Sequence, residues 1–185
     1  ARAAMIGVLA AAAVASADQV TFTPLKDNTL YQDPAGATSN GQGGTMFAGN
    51  TGQSQTRRAL MAFDLSAIPV GSTIQSVQLT MYMPRSRAGT NAVTLHRVLA
   101  DWGEGPSDAG LPGGAGDNAE PADATWLHRF YPATFWNNTG GDFIATSSAS
   151  LSVGGIASYT WSSAGMASDV QGWVNNAATN FGWMV

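Results

Sequence analysis

The sequence predicts an all-β fold, a jelly-roll-like β-sandwich, and three observations support this prediction. Between Val77 and Met83 apolar and polar residues alternate, which is the two-residue period of a strand with one buried face. Short stretches rich in β-branched and aromatic residues recur between turns rich in Gly and Asn. Only 11% of the residues are Asp, Glu, Lys or Arg, so the polar surface consists of Gly, Ser, Thr, Asn and Gln, as in secreted β proteins.

The predicted strands are short and are separated by turns. In chain order they cover residues 20–23, 29–31, 45–48, 59–65, 73–83, 92–99, 125–130, 143–147 and 158–161, and a last strand begins at Gly182. Between them, residues 100–124 hold six of the glycines and three of the prolines, and a loop of this length is usually functional or disordered.

One short helix is predicted near the carboxyl end, over residues 164–175. Its apolar residues recur at helical spacing and define one face, and Ser163 precedes the helix as a candidate N-cap. The residues of that face are Met166, Val170, Trp173 and Val174.

The first 17 residues differ from the rest of the chain. They combine Arg2, an apolar alanine-rich run and an Ala15-Ser16-Ala17 cleavage site, which are the parts of a signal peptide. The alternative is a retained apolar helix that anchors the protein in a membrane, although fifteen helical residues reach only about 22 Å of a roughly 30 Å hydrocarbon core. We therefore predict export to the periplasm or cell surface, and a single β-sandwich domain over 18–185 that lacks its final strand. The anchor residues would be Met5, Ile6, Val8 and Leu9.

Composition excludes several classes of function. The chain has no cysteine, which removes disulfides, thiolate catalysis and zinc–thiolate sites. Its net charge is −4 and its few basic residues form no stripe, so nucleic acid is not an expected partner.

Several short stretches of the chain form a pattern when they are taken together. They are 27–31 (DNTLY), 39–41 (SNG), 47–49 (FAG), 58–65 (RALMAFDL), 95–105 (LHRVLADWGEG), 123–128 (DATWLH) and 181–183 (FGW). With these stretches the chain resembles the DNRLRE-domain family, which includes exported PEP-CTERM-type proteins. The resemblance implies a jelly-roll β-sandwich and, for some members of the family, polysaccharide binding. Ala62 departs from the family pattern, in which Arg is often found at this position of the strand.

Three tryptophans in loop-like, polar surroundings are candidates for stacking on sugar rings: Trp102, Trp126 and Trp136. An aromatic face packs on a pyranose ring while neighbouring polar groups bind its hydroxyls. The alternative is that each Trp covers the core, because large aromatic side chains are highly buried on average. Two coplanar exposed aromatic side chains on a concave face would favour polysaccharide binding.

The long loop also concentrates carboxylates that could bind Ca²⁺. Calcium takes six to eight oxygen ligands, but the loop has no EF-hand spacing, and a solvated acidic loop is the alternative. No other cofactor is expected. The candidate ligands are Asp101, Glu104, Asp108, Asp117 and Asp123, with Glu120 in the same loop.

No catalytic motif is present, and we predict that the protein is not an enzyme. The two histidines, His96 and His128, form no metal-binding pair, and there is no Gly-x-Ser-x-Gly elbow and no phosphate-binding loop. Two functions remain. The first is an accessory or structural subunit of a membrane or cell-envelope protein assembly, held by residues 1–17 and by flat β surface against partner proteins. It is favoured because a truncated last strand would leave an open sheet edge that needs cover. The second is a secreted polysaccharide-binding module.

Overall fold

The computed structural model describes residues 18–86 and 88–185, and the predicted anchor residues Met5, Ile6, Val8 and Leu9 lie outside this range. Among the described residues, no helix is long and apolar enough to cross a membrane. The elements are β1 (Lys26–Tyr31), β2 (Thr38–Ser39), β3 (Gly49–Asn50), β4 (Thr56–Ala62), β5 (Leu79–Met83), β6 (Asn91–Arg97), β7 (Asp117–Asn118), β8 (His128–Phe130), β9 (Thr134–Phe135), β10 (Ala149–Val153), β11 (Ala157–Trp161), α1 (Ala164–Asn175), a 3₁₀ turn (Ala177–Thr179) and β12 (Trp183–Met184).

A six-stranded antiparallel sheet forms the centre of the sandwich, with β1, β4, β12, β6 and β10 in that order and β3 paired to β4. The strand β12 lies in the middle: Trp183 is opposite Met61 of β4 and also opposite Arg97 of β6. Because both of its neighbours are antiparallel to β12, β4 and β6 run parallel to each other. The open edge expected at the last strand is therefore not found at Trp183–Met184, which pairs on both sides.

Both faces of this sheet are covered. One face packs against α1 and the two-stranded sheet of β5 and β11, and its buried residues include Met61, Leu95 and Trp183. The other face lies under the long loop, and its buried residues include Leu60, Trp102 and Met184. Neighbouring residues of β4 and β12 thus belong to different core clusters, as the two-residue period of a strand requires.

The helix begins and ends at the predicted residues. It spans Ala164–Asn175, and the Ser163 hydroxyl accepts a hydrogen bond from the Met166 backbone N–H at 3.0 Å. This bond satisfies one of the free N–H groups of the first turn. The predicted apolar face is buried, at Met166, Val170, Trp173 and Val174.

The all-β sandwich is confirmed, but three strand predictions were wrong. Residues 20–23 and 45–48 are not strands, and 143–147 contributes only an isolated bridge between Phe143 and Val98. The strand β10 was missed, although Leu151 and Val153 alternate there with serines. Strand 73–83 shortens to Leu79–Met83, because the partner strand β11 is only five residues long.

Candidate functional site

A polar cleft opens where β1 ends and β4 begins, and we call it the β1–β4 cleft. Its volume is about 270 Å³. It is formed by the end of one strand, the start of the next and the turns beside them, so loops on a rigid sheet shape it. The residues that matter for its chemistry are Tyr31, Gln32, Asp33, Thr38, Thr56 and Arg57.

Tyr31 and Arg57 face each other across the strand pair. The Arg57 guanidinium carbon lies 5.1 Å from the centre of the Tyr31 ring, which is within the range of a cation–π contact. The Tyr31 ring is buried, and its hydroxyl donates to the Gly113 carbonyl at 2.9 Å. Burial raises the pKa of Tyr31 to about 12, although the Arg57 charge and a hydrogen bond with Thr29 act in the opposite direction. The ring is therefore a fixed, neutral support for the guanidinium.

Arg57 has unused hydrogen-bonding capacity. Its Nε is buried and has no hydrogen-bond partner among the described residues. The ion pairs within 18–86 and 88–185 use Lys26 and Arg97 as their cations, not Arg57. A guanidinium carries five N–H donors in a planar fork that matches the two oxygens of a carboxylate. The cleft thus contains a positioned cation whose Nε has no acceptor, and whose charge has no ion-pair partner, in the part of the chain that the structure describes.

Asp33, in contrast, is already satisfied. Its carboxylate accepts hydrogen bonds from the backbone N–H groups of Ala35 and Ala37 and from the Thr38 hydroxyl, all at 3.0 Å. Burial alone would raise the pKa of Asp33, but these hydrogen bonds outweigh it and lower the pKa. Gln32 is also engaged, since its Oε1 accepts from the Thr56 N–H at 2.7 Å. Of the charged groups in the cleft, Arg57 is the one left to bind a ligand.

The structure corrects the predicted stacking role of Trp102 and Trp136. Trp102 has no exposed surface and Trp136 is 5% exposed, so neither ring can reach a sugar. Both indole N–H groups are used inside the fold: Trp102 Nε1 donates to the Phe181 carbonyl and Trp136 Nε1 to the Thr125 carbonyl, each at 2.9 Å. These are the core tryptophans of the alternative interpretation.

Trp126 is half-buried, whereas the other two predicted stacking residues are buried. The Arg58 guanidinium carbon lies 4.9 Å from its ring centre and 5.0 Å from that of Phe143, and Arg58 Nη1 donates to the Gly140 carbonyl at 2.6 Å. Burial lowers the pKa of Arg58. One face of Trp126 is therefore occupied by Arg58, and its role as a ligand contact stays a prediction.

The predicted calcium ligands do not converge. Within the described part of the chain, no three His, Cys, Asp or Glu side chains lie close enough together to hold a metal ion. Each predicted ligand has its own partner instead, which corrects the proposed cluster. Asp101 pairs with Lys26 at 2.7 Å, Glu104 accepts from the Asp27 N–H at 2.9 Å, and the carboxylates of Asp108, Asp117 and Asp123 accept from the backbone N–H groups of Gly110, Asn118 and Glu120.

Two of the acidic residues in this region have raised pKa values. Burial raises the pKa of Asp123, and hydrogen bonds from Glu120, Ser107 and Ser39 offset part of the effect. Burial and the nearby Glu104 carboxylate raise the pKa of Asp27 to about 6. Asp27 lies near the start of β1, the strand that ends at the β1–β4 cleft.

Sequence reasoning missed the β1–β4 cleft. The adjacent Arg57-Arg58 pair was visible as one of the few clusters of basic residues, and an Asp33-Pro34 turn follows the first strand. What was hidden is that Arg57 would lie across from Tyr31, because that pairing depends on the register of two strands. The predicted ligand residues were loop tryptophans, whereas the cleft is polar.

Residues 18–105 match the model of carbohydrate-binding module family 96, and this segment contains every lining residue of the β1–β4 cleft except Ala115. No curated protein matches the chain, and no solved structure does. The match does not identify the DNRLRE-domain family specifically, so that resemblance stays a prediction. Over residues 18–105, the chain is similar to a carbohydrate-binding module.

Proposed function

We propose that this domain is a non-catalytic carbohydrate-binding module that binds polysaccharide in the β1–β4 cleft. The observation that carries the proposal is Arg57, whose guanidinium lines a polar cleft and takes part in no ion pair among the described residues. The family match supports it, because modules of this kind are generally non-catalytic and because the matching segment supplies almost the whole cleft.

The cleft favours sugars that carry a carboxylate. A uronate oxygen pair fits the guanidinium fork, and charge-assisted hydrogen bonds of this type are roughly twice as strong as neutral ones. Asp33 stays ionised, but its oxygens accept from three internal donors and it forms no ion pair with Arg57 in the described part of the chain, so the guanidinium remains free to bind the sugar carboxylate. The exposed Gln55 amide at the cleft rim can bind ring hydroxyls of the same chain.

The test is affinity gel electrophoresis, with polysaccharide cast in the gel, of the wild type and of Arg57→Gln. The gels contain polygalacturonate, alginate, xylan or glucomannan. We expect retardation by the acidic polymers, and at least about tenfold weaker binding by Arg57→Gln, since a hydrogen bond to a charged group contributes about 1.5–3 kcal/mol. Arg57→Lys keeps the charge but loses the fork, and we expect it to restore only part of the affinity.

The matched control is Arg85→Gln, which removes the same charge from an exposed arginine outside the cleft. It should bind like the wild type. Equal retardation of Arg57→Gln and Arg85→Gln would show that binding, if present, does not use the β1–β4 cleft. Absence of retardation by every polymer, with a folded wild-type protein, would refute the proposed function itself.

The accessory-subunit hypothesis is retained only as a proposal. It was motivated by the apolar residues 1–17, which lie outside the described range, and by an open edge at the last strand. The strand β12 is paired on both sides, so the open edge no longer supports this hypothesis. Export to the periplasm or cell surface also remains a proposal, and it fits a domain that binds polysaccharide.

A further inference from the structure

We infer that a second cleft of the domain, on the β6 and α1 side, is a separate binding site for the vicinal hydroxyls of a neutral pyranose. This inference rests on the proposed function, because it adds a second binding site to a carbohydrate-binding module and so makes the module bivalent. We call this site the Arg97–Asp169 cleft. Its volume is about 260 Å³ and it shares no lining residue with the β1–β4 cleft. Its polar lining residues are Arg97, Thr146, Ser147, Ser148, Ser168 and Asp169.

Asp169 is held rigidly but keeps one oxygen available. Its Oδ2 accepts from the Ser148 hydroxyl at 2.5 Å and from Trp183 Nε1 at 2.8 Å. Trp183 belongs to the central strand β12, so the carboxylate is tied to the core of the sheet. Oδ1 faces the Arg97 Nε at 3.7 Å, which is an ion-pair distance but too long for a hydrogen bond.

The pair therefore presents a donor and an acceptor side by side. The Arg97 side chain is 36% exposed and the Asp169 side chain 13%, so solvent reaches the guanidinium more than the carboxylate. A sugar hydroxyl both donates and accepts, and two adjacent hydroxyls can donate to Asp169 Oδ1 and accept from Arg97 together. The serine and threonine hydroxyls around the pair can bind the remaining oxygens of the ring.

The charge balance separates this cleft from the first one. In this cleft the Asp169 carboxylate lies 3.7 Å from Arg97 and would repel the sugar carboxylate that Arg97 attracts, whereas the described residues include no ion pair between Arg57 and Asp33. A neutral diol meets no such opposition. The Arg97–Asp169 cleft is therefore expected to bind neutral sugars, whereas Arg57 favours acidic ones.

The two clefts are too far apart for one short sugar. Arg97 and Met61 are both opposite Trp183, so two strand spacings separate Arg97 from Met61 across the sheet. Along β4, Met61 is four residues from Arg57. Standard strand spacings place the two arginine Cα atoms about 16 Å apart. A disaccharide therefore occupies one cleft at a time, and a module with both can join two segments of polysaccharide.

The test is a ¹⁵N NMR titration of the wild type with cellobiose and, separately, with digalacturonate. We expect cellobiose to shift the backbone amides of Ser147, Ser148 and Ser168, and digalacturonate to shift those of Gln32 and Arg57. Arg97→Gln should weaken the cellobiose response at least about tenfold while the digalacturonate response stays unchanged. Ser168→Ala, which removes an exposed hydroxyl and no charge, should weaken it to a smaller extent.

Arg85→Gln is again the matched control and should respond to both sugars like the wild type. Absence of cellobiose shifts at the serine amides, or an unchanged response in Arg97→Gln, would overturn the second site and leave the proposed function intact. Absence of digalacturonate shifts in the β1–β4 cleft would refute that cleft as the binding site, whatever cellobiose does. The amide dispersion of each free variant shows whether it is folded.

Discussion

Replacing Asp27 by Asn is expected to stabilise the domain at neutral pH. The Asp27 carboxyl is partly buried near the Glu104 carboxylate, and burial and that charge, in this order, raise the pKa of Asp27 to about 6. The backbone N–H of Asp27 donates to Glu104 Oε1 at 2.9 Å, which keeps the two residues together. Above pH 6 the folded protein thus holds two neighbouring ionised carboxylates, one of them partly desolvated. Asparagine removes that charge and keeps the shape and the backbone hydrogen bond.

The size of the effect follows from the pKa. The difference between 3.8 in the unfolded chain and about 6 in the folded protein would correspond to about 3 kcal/mol for a fully buried group. Asp27 is partly exposed, so solvent screening reduces the expected gain to about 1 kcal/mol. Between pH 4 and 6 the folded state binds more protons than the unfolded state, so the wild type loses stability as the pH rises through this range. The gain from Asp27→Asn should therefore be near zero at pH 4 and complete at pH 7.5.

Urea denaturation at pH 4 and pH 7.5 measures this difference. The control is Asp64→Asn, because a hydrogen bond from the Ser66 backbone N–H lowers the pKa of the exposed Asp64 carboxylate. Neutralising Asp64 should therefore lower stability at pH 7.5, whereas neutralising Asp27 should raise it. If Asp27→Asn is equally stabilising at both pH values, or destabilises at pH 7.5, the electrostatic explanation is wrong.

Two further substitutions test the packing. Trp102→Phe leaves the Phe181 carbonyl without its donor and removes buried volume, so urea denaturation should show a loss of stability of about 2–4 kcal/mol. In affinity gels, polysaccharide should retard the folded variant as much as the wild type. Reduced retardation would restore a ligand role for Trp102. Gly182→Ala should lower the free energy of unfolding, measured with urea, by at least about 3 kcal/mol, because Gly182 has a φ of +76° and an added Cβ would lie 1.9 Å from the Met61 carbonyl oxygen. The control is Gly155→Ala, whose added Cβ meets no atom within 4 Å and should change the free energy of unfolding by no more than about 0.5 kcal/mol. Equal effects of the two substitutions would contradict the clash.

The parts of the fold that were predicted correctly depend on local sequence. The helix has its N-cap at Ser163 and its apolar residues within one segment, so neighbouring residues determine both its start and its buried face. The strand β5 follows from alternation between Leu79 and Met83. Its true length does not, because a strand is as long as its hydrogen-bonded partner allows, and that partner lies 80 residues away.

The position of the last strand and the burial of the tryptophans depend on distant residues. Trp183 and Met184 look like the start of a strand, but only the paired registers with β4 and β6 place them at the centre of the sheet. Trp102 stands among polar residues in the sequence, which suggested exposure. Its indole N–H is satisfied by a carbonyl 79 residues away, and its ring is fully buried. Polar neighbours in sequence therefore do not report the neighbours in space.

The functional interpretation depends on the difference between two adjacent arginines. Because side chains alternate along β4, Arg57 and Arg58 lie on opposite faces of the central sheet. Arg58 is enclosed between Trp126 and Phe143 and donates to the Gly140 carbonyl, so its hydrogen-bonding capacity serves the fold. Arg57 rests on Tyr31 in an open cleft, and its buried Nε has no hydrogen-bond partner within residues 18–86 and 88–185. Because that Nε is enclosed, a ligand in the cleft meets the outer edge of the guanidinium, and this charge without an ion-pair partner among the described residues is the physical reason to expect that the β1–β4 cleft binds an anionic group.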